Sequence, residues 1–130
     1  MQELTAIAPI IWAKWGGVYL EALRQEATDA PDGLAFQAMN SEAGIRTVLV
    51  VCTTDGKQVQ AAEEALALQD VARPVEWQSY SVAELIFRTE KRGGLSHQAL
   101  LDGNGSASLA LCATRPEAVK ALEKLFDLPE

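Results

Sequence analysis

Two cysteines, one histidine and one strand-end turn hold most of the chemistry available in this 130-residue sequence. Cys52 closes the apolar run Thr47-Val48-Leu49-Val50-Val51-Cys52 and leads into Thr53-Thr54-Asp55-Gly56-Lys57, a glycine turn before an amphipathic stretch. Ligands of open α/β sheets gather beyond strand C-termini, and free N–H groups at a helix start attract anions. The ligand class this segment would take is a small anion, a phosphate or carboxylate held against the Thr53 to Lys57 amides. The plainer reading is an ordinary capped turn, because the spacings of a Walker loop and of G-x-G-x-x-G are absent and Asp55 repels anions. A helix start also stabilises a thiolate, which makes Cys52 a candidate nucleophile. Set against this is a buried structural cysteine with no nearby cysteine or second histidine to support it.

His97 is the only histidine. It follows Ser96, and Asp102 five positions on could accept from its ring, but a Ser–His–Asp arrangement must be assembled across a fold. The competing reading is a surface or structural histidine. Cys52 and Cys112 both sit in apolar, strand-like runs and read as free buried thiols of a reducing compartment. No C-x-x-C exists, so no zinc spacing is present. Glu21, Glu26, Glu63, Glu64, Glu84 and Glu90 fall at polar helix positions and read as solvated faces. No catalytic residue, metal ligand or cofactor is assigned. Trp12, Trp15 and Tyr19 group on the first helical segment, where they are either core or the edge of a docking face, since aromatics are enriched at interface hot spots.

The elements that must position these residues follow from periodicity. Leu4, Ile7, Ile10, Ile11, Trp15, Val18, Tyr19, Ala22 and Leu23 mark a helix within 1–27, broken by Pro9 and Gly16-Gly17, and this segment is a candidate interface arm. Residues 34–43 predict a short helix ended by Gly44. Ile45 to Thr54 is a strand buried on both faces, of the kind found centrally in parallel sheets. Lys57 to Asp70 is an amphipathic helix. Val75 to Tyr80 alternates and predicts a second strand. Ser81-Val82-Ala83-Glu84 is a capping box that opens a helix through about Lys91. Ser96 to Leu101 reads as a further turn of helix and Asp102-Gly103-Asn104-Gly105 as a turn. Ser106 to Ala113 is a third strand. Thr114-Arg115-Pro116-Glu117 is a second capping box before a helix over 116–126. The expected order is α-β-α-β-α-β-α: one α/β domain over 1–130, with a single-layer mixed or parallel sheet of three or more strands flanked by helices. Nothing in the sequence suggests a repeat.

Composition bounds the partners. The net charge is −7, with 18 acidic against 11 basic residues, which argues against nucleic acid and against anionic membranes. The one basic cluster, Arg88, Lys91 and Arg92, fits a solvated helix end. No basic n-region precedes an apolar stretch and no apolar run approaches membrane length, so a cytoplasmic protein is expected.

Residues 73–103 contain, in order, Arg73-Pro74-Val75-Glu76, Tyr80-Ser81-Val82-Ala83-Glu84-Leu85, Gly93-Gly94 and Gln98-Ala99-Leu100-Leu101-Asp102-Gly103. Preceded by Val48 to Val51 and the helix at 57–70, this order over 45–103 resembles a minimal nucleotidyltransferase-like domain, in which a strand leads into a capped helix and an L-x-x-G turn. That family's chemistry needs a Gly-Ser motif and an Asp-x-Asp pair to hold magnesium and nucleotide phosphates. Here the strand carries Arg46-Thr47-Val48, without a carboxylate pair. What the resemblance implies is a degenerate, inactive regulatory member, and no family site residue carries over. Taken together, the residues point to a small non-enzymatic binding or interaction domain, with a protein partner or homo-oligomer, or an accessory subunit. The alternative is a small-molecule enzyme or anion or nucleotide binder using Cys52, Thr53, Thr54, Gly56, Lys57 and His97.

Overall fold

The structure, a computed structural model, describes residues 4, 6–67, 76–101 and 107–129. Gly16-Gly17 divides the first apolar stretch into two helices, α1 (Ala8–Trp15) and α2 (Leu20–Asp29). Pro9 sits in the first turn of α1, where its missing N–H would have had no partner. Then come strands β1 (Leu34–Asn40) and β2 (Arg46–Thr53) and helices α3 (Gly56–Ala65) and α4 (Val82–Lys91). Strands β3 (Leu95–Leu101) and β4 (Ala107–Ala113) and helix α5 (Pro116–Leu125) complete the order.

The α/β class holds, but the sheet differs from expectation. Its four strands run in the order β1-β2-β4-β3 and every neighbouring pair is antiparallel, neither mixed nor parallel. Helices α1, α2 and α4 cover one face and α3 and α5 the other, giving three layers. β2 is central and apolar along both faces because helices lie on both sides. That property reports the layering and says nothing about strand direction. The helix expected over 34–43 is strand β1: Leu34, Phe36 and Ala38 face one core, Ala35 and Met39 the other. Its apolar residues fit either period, and pairing with β2 decides. Gly44 does not end a helix; it takes φ +79° in the connection to β2, its N–H donating to the Ser41 carbonyl at 2.9 Å. The strand expected over Val75–Tyr80 is not formed by its described part, where Trp77–Ser79 is a turn. The helical turn expected at 96–101 is β3. The turn expected at 102–105 lies outside the described residues. Ser81 and Glu84 do form a capping box on α4. The second box does not form: Arg115 is the N-cap of α5 without a side-chain bond, and the Thr114 hydroxyl donates to Glu90 at 2.6 Å.

The two halves repeat each other, although no repeat is expected from the sequence. Each is helix, hairpin, helix: α2-β1-β2-α3 and α4-β3-β4-α5. Matched positions pair with one another where the halves meet. Val51 opposes Leu111 in the β2–β4 ladder, and Tyr19 bridges to Ser81. Around that bridge the Leu20 N–H donates to the Tyr80 carbonyl (2.9 Å) and the Val82 N–H to the Val18 carbonyl (2.7 Å), a reciprocal pair. At the hairpins Thr54 N–H reaches the Gly33 carbonyl and Thr114 N–H the Gly94 carbonyl, both at 2.9 Å. Set in the register of these pairings, the sequence places Trp15 opposite Trp77, Gly33-Leu34 opposite Gly94-Leu95, and Gln37-Ala38 opposite Gln98-Ala99. It also aligns Cys52 with Cys112, Thr54 with Thr114 and Val59 with Val119. The final helix of each half crosses to the other: α3 lies against β4 and α5 against β2. The halves are therefore interlocked about a pseudo-twofold axis.

Candidate functional site

The strand-end turn is built to satisfy itself. Thr53 is buried at the end of β2, its hydroxyl donating to Gln58 at 2.6 Å and accepting from the Asp55 N–H at 3.2 Å. Asp55 caps α3 by accepting from the Lys57 N–H at 3.2 Å. With Thr54 N–H given to Gly33, the amides of Thr54, Asp55 and Lys57 are engaged within the protein. Gly56 and Lys57 face solvent. Cys52 is fully buried, and burial raises its pKa to about 12. Cys112 is likewise buried and raised to about 12, against a smaller lowering by the Thr89 hydroxyl. Near neutral pH both are thiols, and a thiol is a poor nucleophile beside a thiolate.

The candidate reactive groups are also kept apart. Cys52 belongs to the core under α1, α2 and α4. His97, half-buried on edge strand β3, pairs in register with Leu111 and lies on the face of Leu95 and Leu111, which is the opposite face. Ser96, its neighbour in sequence, points the other way and donates to Thr89 at 2.5 Å, Thr89 itself donating to the Leu85 carbonyl at 2.7 Å. The carboxylates serve local roles. Glu21 pairs with Arg24, which lowers its pKa, and Glu84 closes the capping box. Glu90 accepts from Thr114 and faces Arg115 at 3.6 Å. Among the described residues no group of three or more metal-ligating side chains converges, and no helix is long and apolar enough to cross a membrane.

A cavity of about 310 Å³ lies between the β1–β2 connection and the start of α5, lined by residues including Ile45, Arg46, Pro116, Lys120 and Glu123. Its guanidinium is already committed. Arg46 pairs with Glu123 at 2.5 Å, donates to the Pro129 carbonyl at 3.1 Å and lies 5.5 Å over the Phe36 ring. This cavity joins positions far apart in the chain, so no local sequence signal marks it.

Comparison with family models, curated proteins and solved structures finds no match to this chain.

The aromatic segment separates into core and surface. Trp15 is wholly buried, its indole N–H donating to Gln37 at 2.5 Å. Lys14 lies 4.6 Å over the Trp15 ring and donates to the Ala38 carbonyl on β1 at 3.0 Å. With Ile7 and Ile11 also buried, α1 is fastened to the body of the domain. Trp12 is turned outward, 47% exposed, and stacks on Phe87 of α4 with ring centroids 5.6 Å apart. Ile10, also on α1, is 58% exposed, and Tyr19 is exposed at the start of α2. Phe87 went unnoticed in sequence. Its signal was there, for it is the large apolar residue of α4 that falls off the buried stripe of Val82, Leu85, Ile86 and Thr89.

Proposed function

We propose that this chain is a non-enzymatic interaction domain whose contact surface is centred on Trp12 and Phe87, and that its partner is a second copy of itself. The observation that carries this is the outward Trp12–Phe87 stack on a helix whose other side is locked into the core. A large aromatic left half-exposed on a rigid element is the form binding hot spots take, because little side-chain entropy remains to be lost. A single aromatic patch is complementary to its own copy, so a twofold contact uses it twice. The separation of Cys52 from His97 on opposite sheet faces supports the non-enzymatic half of the reading. The setting we propose is the cytoplasm, supported by two buried cysteines that remain free.

Light scattering after size exclusion, over a hundredfold range of loading concentration, tests this. The expected result is a dimer that becomes a monomer in Trp12→Ala with unchanged circular dichroism. A wild-type protein that stays monomeric throughout refutes self-association. A dimer that Trp12→Ala leaves intact moves the interface elsewhere.

A further inference from the structure

The pseudo-twofold relation assigns a hydrogen bond to two buried groups that lack partners. Among the described residues, the buried side-chain polar atoms without a hydrogen bond are the Trp77 indole nitrogen and the Gln98 carbonyl oxygen. Trp77 is 2% exposed and Gln98 1%. One is purely a donor and the other purely an acceptor. Their matched positions in the first half are Trp15 and Gln37, which are joined by an indole-to-amide hydrogen bond at 2.5 Å. The orientation also agrees. Gln98 shares a face of β3 with Ser96, which bonds α4, and with Leu100, which packs on the core that contains Trp77.

We propose that Trp77 donates to Gln98, closing a second latch equivalent to Trp15–Gln37. Each latch ties the segment entering a helix (α2 or α4) to the edge strand that follows that helix (β1 or β3). It therefore fastens both outer strands of the sheet to the core from the same side. The first latch is closed in this structure and the second is the conformational device built into the other half, a strap whose two ends are already buried and chemically matched. Leaving both ends unpaired in an apolar core is disfavoured, because each has given up its water without gaining a partner.

The full-length protein provides the test, through the indole N–H signals of Trp12, Trp15 and Trp77 in nitrogen-15 NMR, with Trp77→Phe to assign the third. In the wild type the Trp15 and Trp77 indole protons should both exchange with water on the order of a hundredfold more slowly than that of Trp12. Gln98→Leu should shift the Trp77 signal upfield and speed its exchange roughly tenfold while leaving Trp15 unchanged, and Gln37→Leu should do the converse. A wild-type Trp77 indole that exchanges as fast as Trp12 overturns the proposal, and this measurement needs no variant to fold. So does a Gln98→Leu protein whose Trp77 signal does not move.

Discussion

Alkaline pH should weaken this protein through Cys52 and Cys112 specifically. Both thiols are wholly buried in the sheet, and burial lifts each pKa from 9.0 to about 12. The sign follows from the proton count. Below pH 9 both folded and unfolded chains hold the thiol protons and stability is unaffected. Between pH 9 and 12 the unfolded chain releases them while the folded chain keeps them, so stability falls as pH rises. At pH 10 an unfolded thiol is about nine-tenths ionised and a folded one about one-hundredth, a difference on the order of 3 kcal/mol for the two cysteines together. A domain of ordinary stability holds only about 5–15 kcal/mol in all, so the effect is measurable. At a urea slope of about 1.5 kcal/mol per molar, the unfolding midpoint should drop by about 2 M between pH 7.5 and 10. The comparison protein is Cys52→Ala with Cys112→Ala. It keeps every other ionisable side chain, so the difference between the two proteins isolates the thiols. Identical pH dependence of the two midpoints would refute the reasoning, and so would stoichiometric labelling of native wild-type thiols by a disulfide reagent at pH 8.

Gly94 takes φ +94°, and an added Cβ would run into the Arg115 side chain, whereas Gly17 has open space around it. Arg115 is exposed and can swing aside, so backbone conformation sets the cost: Gly94→Ala should lose about 1–3 kcal/mol and Gly17→Ala less than about 0.5, read as thermal midpoints. A nucleotide and magnesium thermal-shift screen at millimolar ligand should give no shift, since the Thr54, Asp55 and Lys57 amides are engaged within the protein and Asp55 repels an anion. A reproducible rise of several degrees would instead favour the anion- or nucleotide-binding alternative.

Element boundaries near strong local signals were legible in the sequence; strand pairing was not. The Ser81–Glu84 capping box and the β-branched run before Cys52 are decided by neighbours in the chain, and both appear where expected. Residues 34–43 and 96–101 have no such signal. Leu34, Ala35, Ala38 and Met39 satisfy a helical stripe and a two-sided strand equally, and the ladders to β2 and β4 resolve them. Reading those two segments as helical removed a hairpin from each half, which is why the antiparallel sheet and the repeat were both missed. The second capping box failed for a tertiary reason as well, since Thr114 turns its hydroxyl to Glu90 of α4. The candidate site was legible only as residue types. Whether Trp12 or Trp15 faced water depended on which side of α1 met the sheet, and that is fixed by the Trp15–Gln37 bond and by Lys14 on the Ala38 carbonyl.

The internal repeat offers a way to separate structural from functional residues within one chain. A residue type needed to build the α-β-β-α unit is needed twice, once in each half. Trp15, Gln37, Cys52, Thr54 and Val59 recur as Trp77, Gln98, Cys112, Thr114 and Val119, so a fold role accounts for them. This bears most on Cys52, whose position after a β-branched strand had suggested a nucleophile; a second buried cysteine at the matched position, with the same pKa raised to about 12, is what a packing residue gives. Function belongs where the halves differ. The position matching Trp12 is Pro74, that matching Phe87 is Gln25, and that matching Tyr19 is Ser81. The aromatic stack therefore has no sequence counterpart in the other half, and neither do the buried Ile7 and Ile11 of α1. Under the interaction reading proposed above, that side of the molecule is where the contact is expected, and Trp12→Ala is the substitution that tests it.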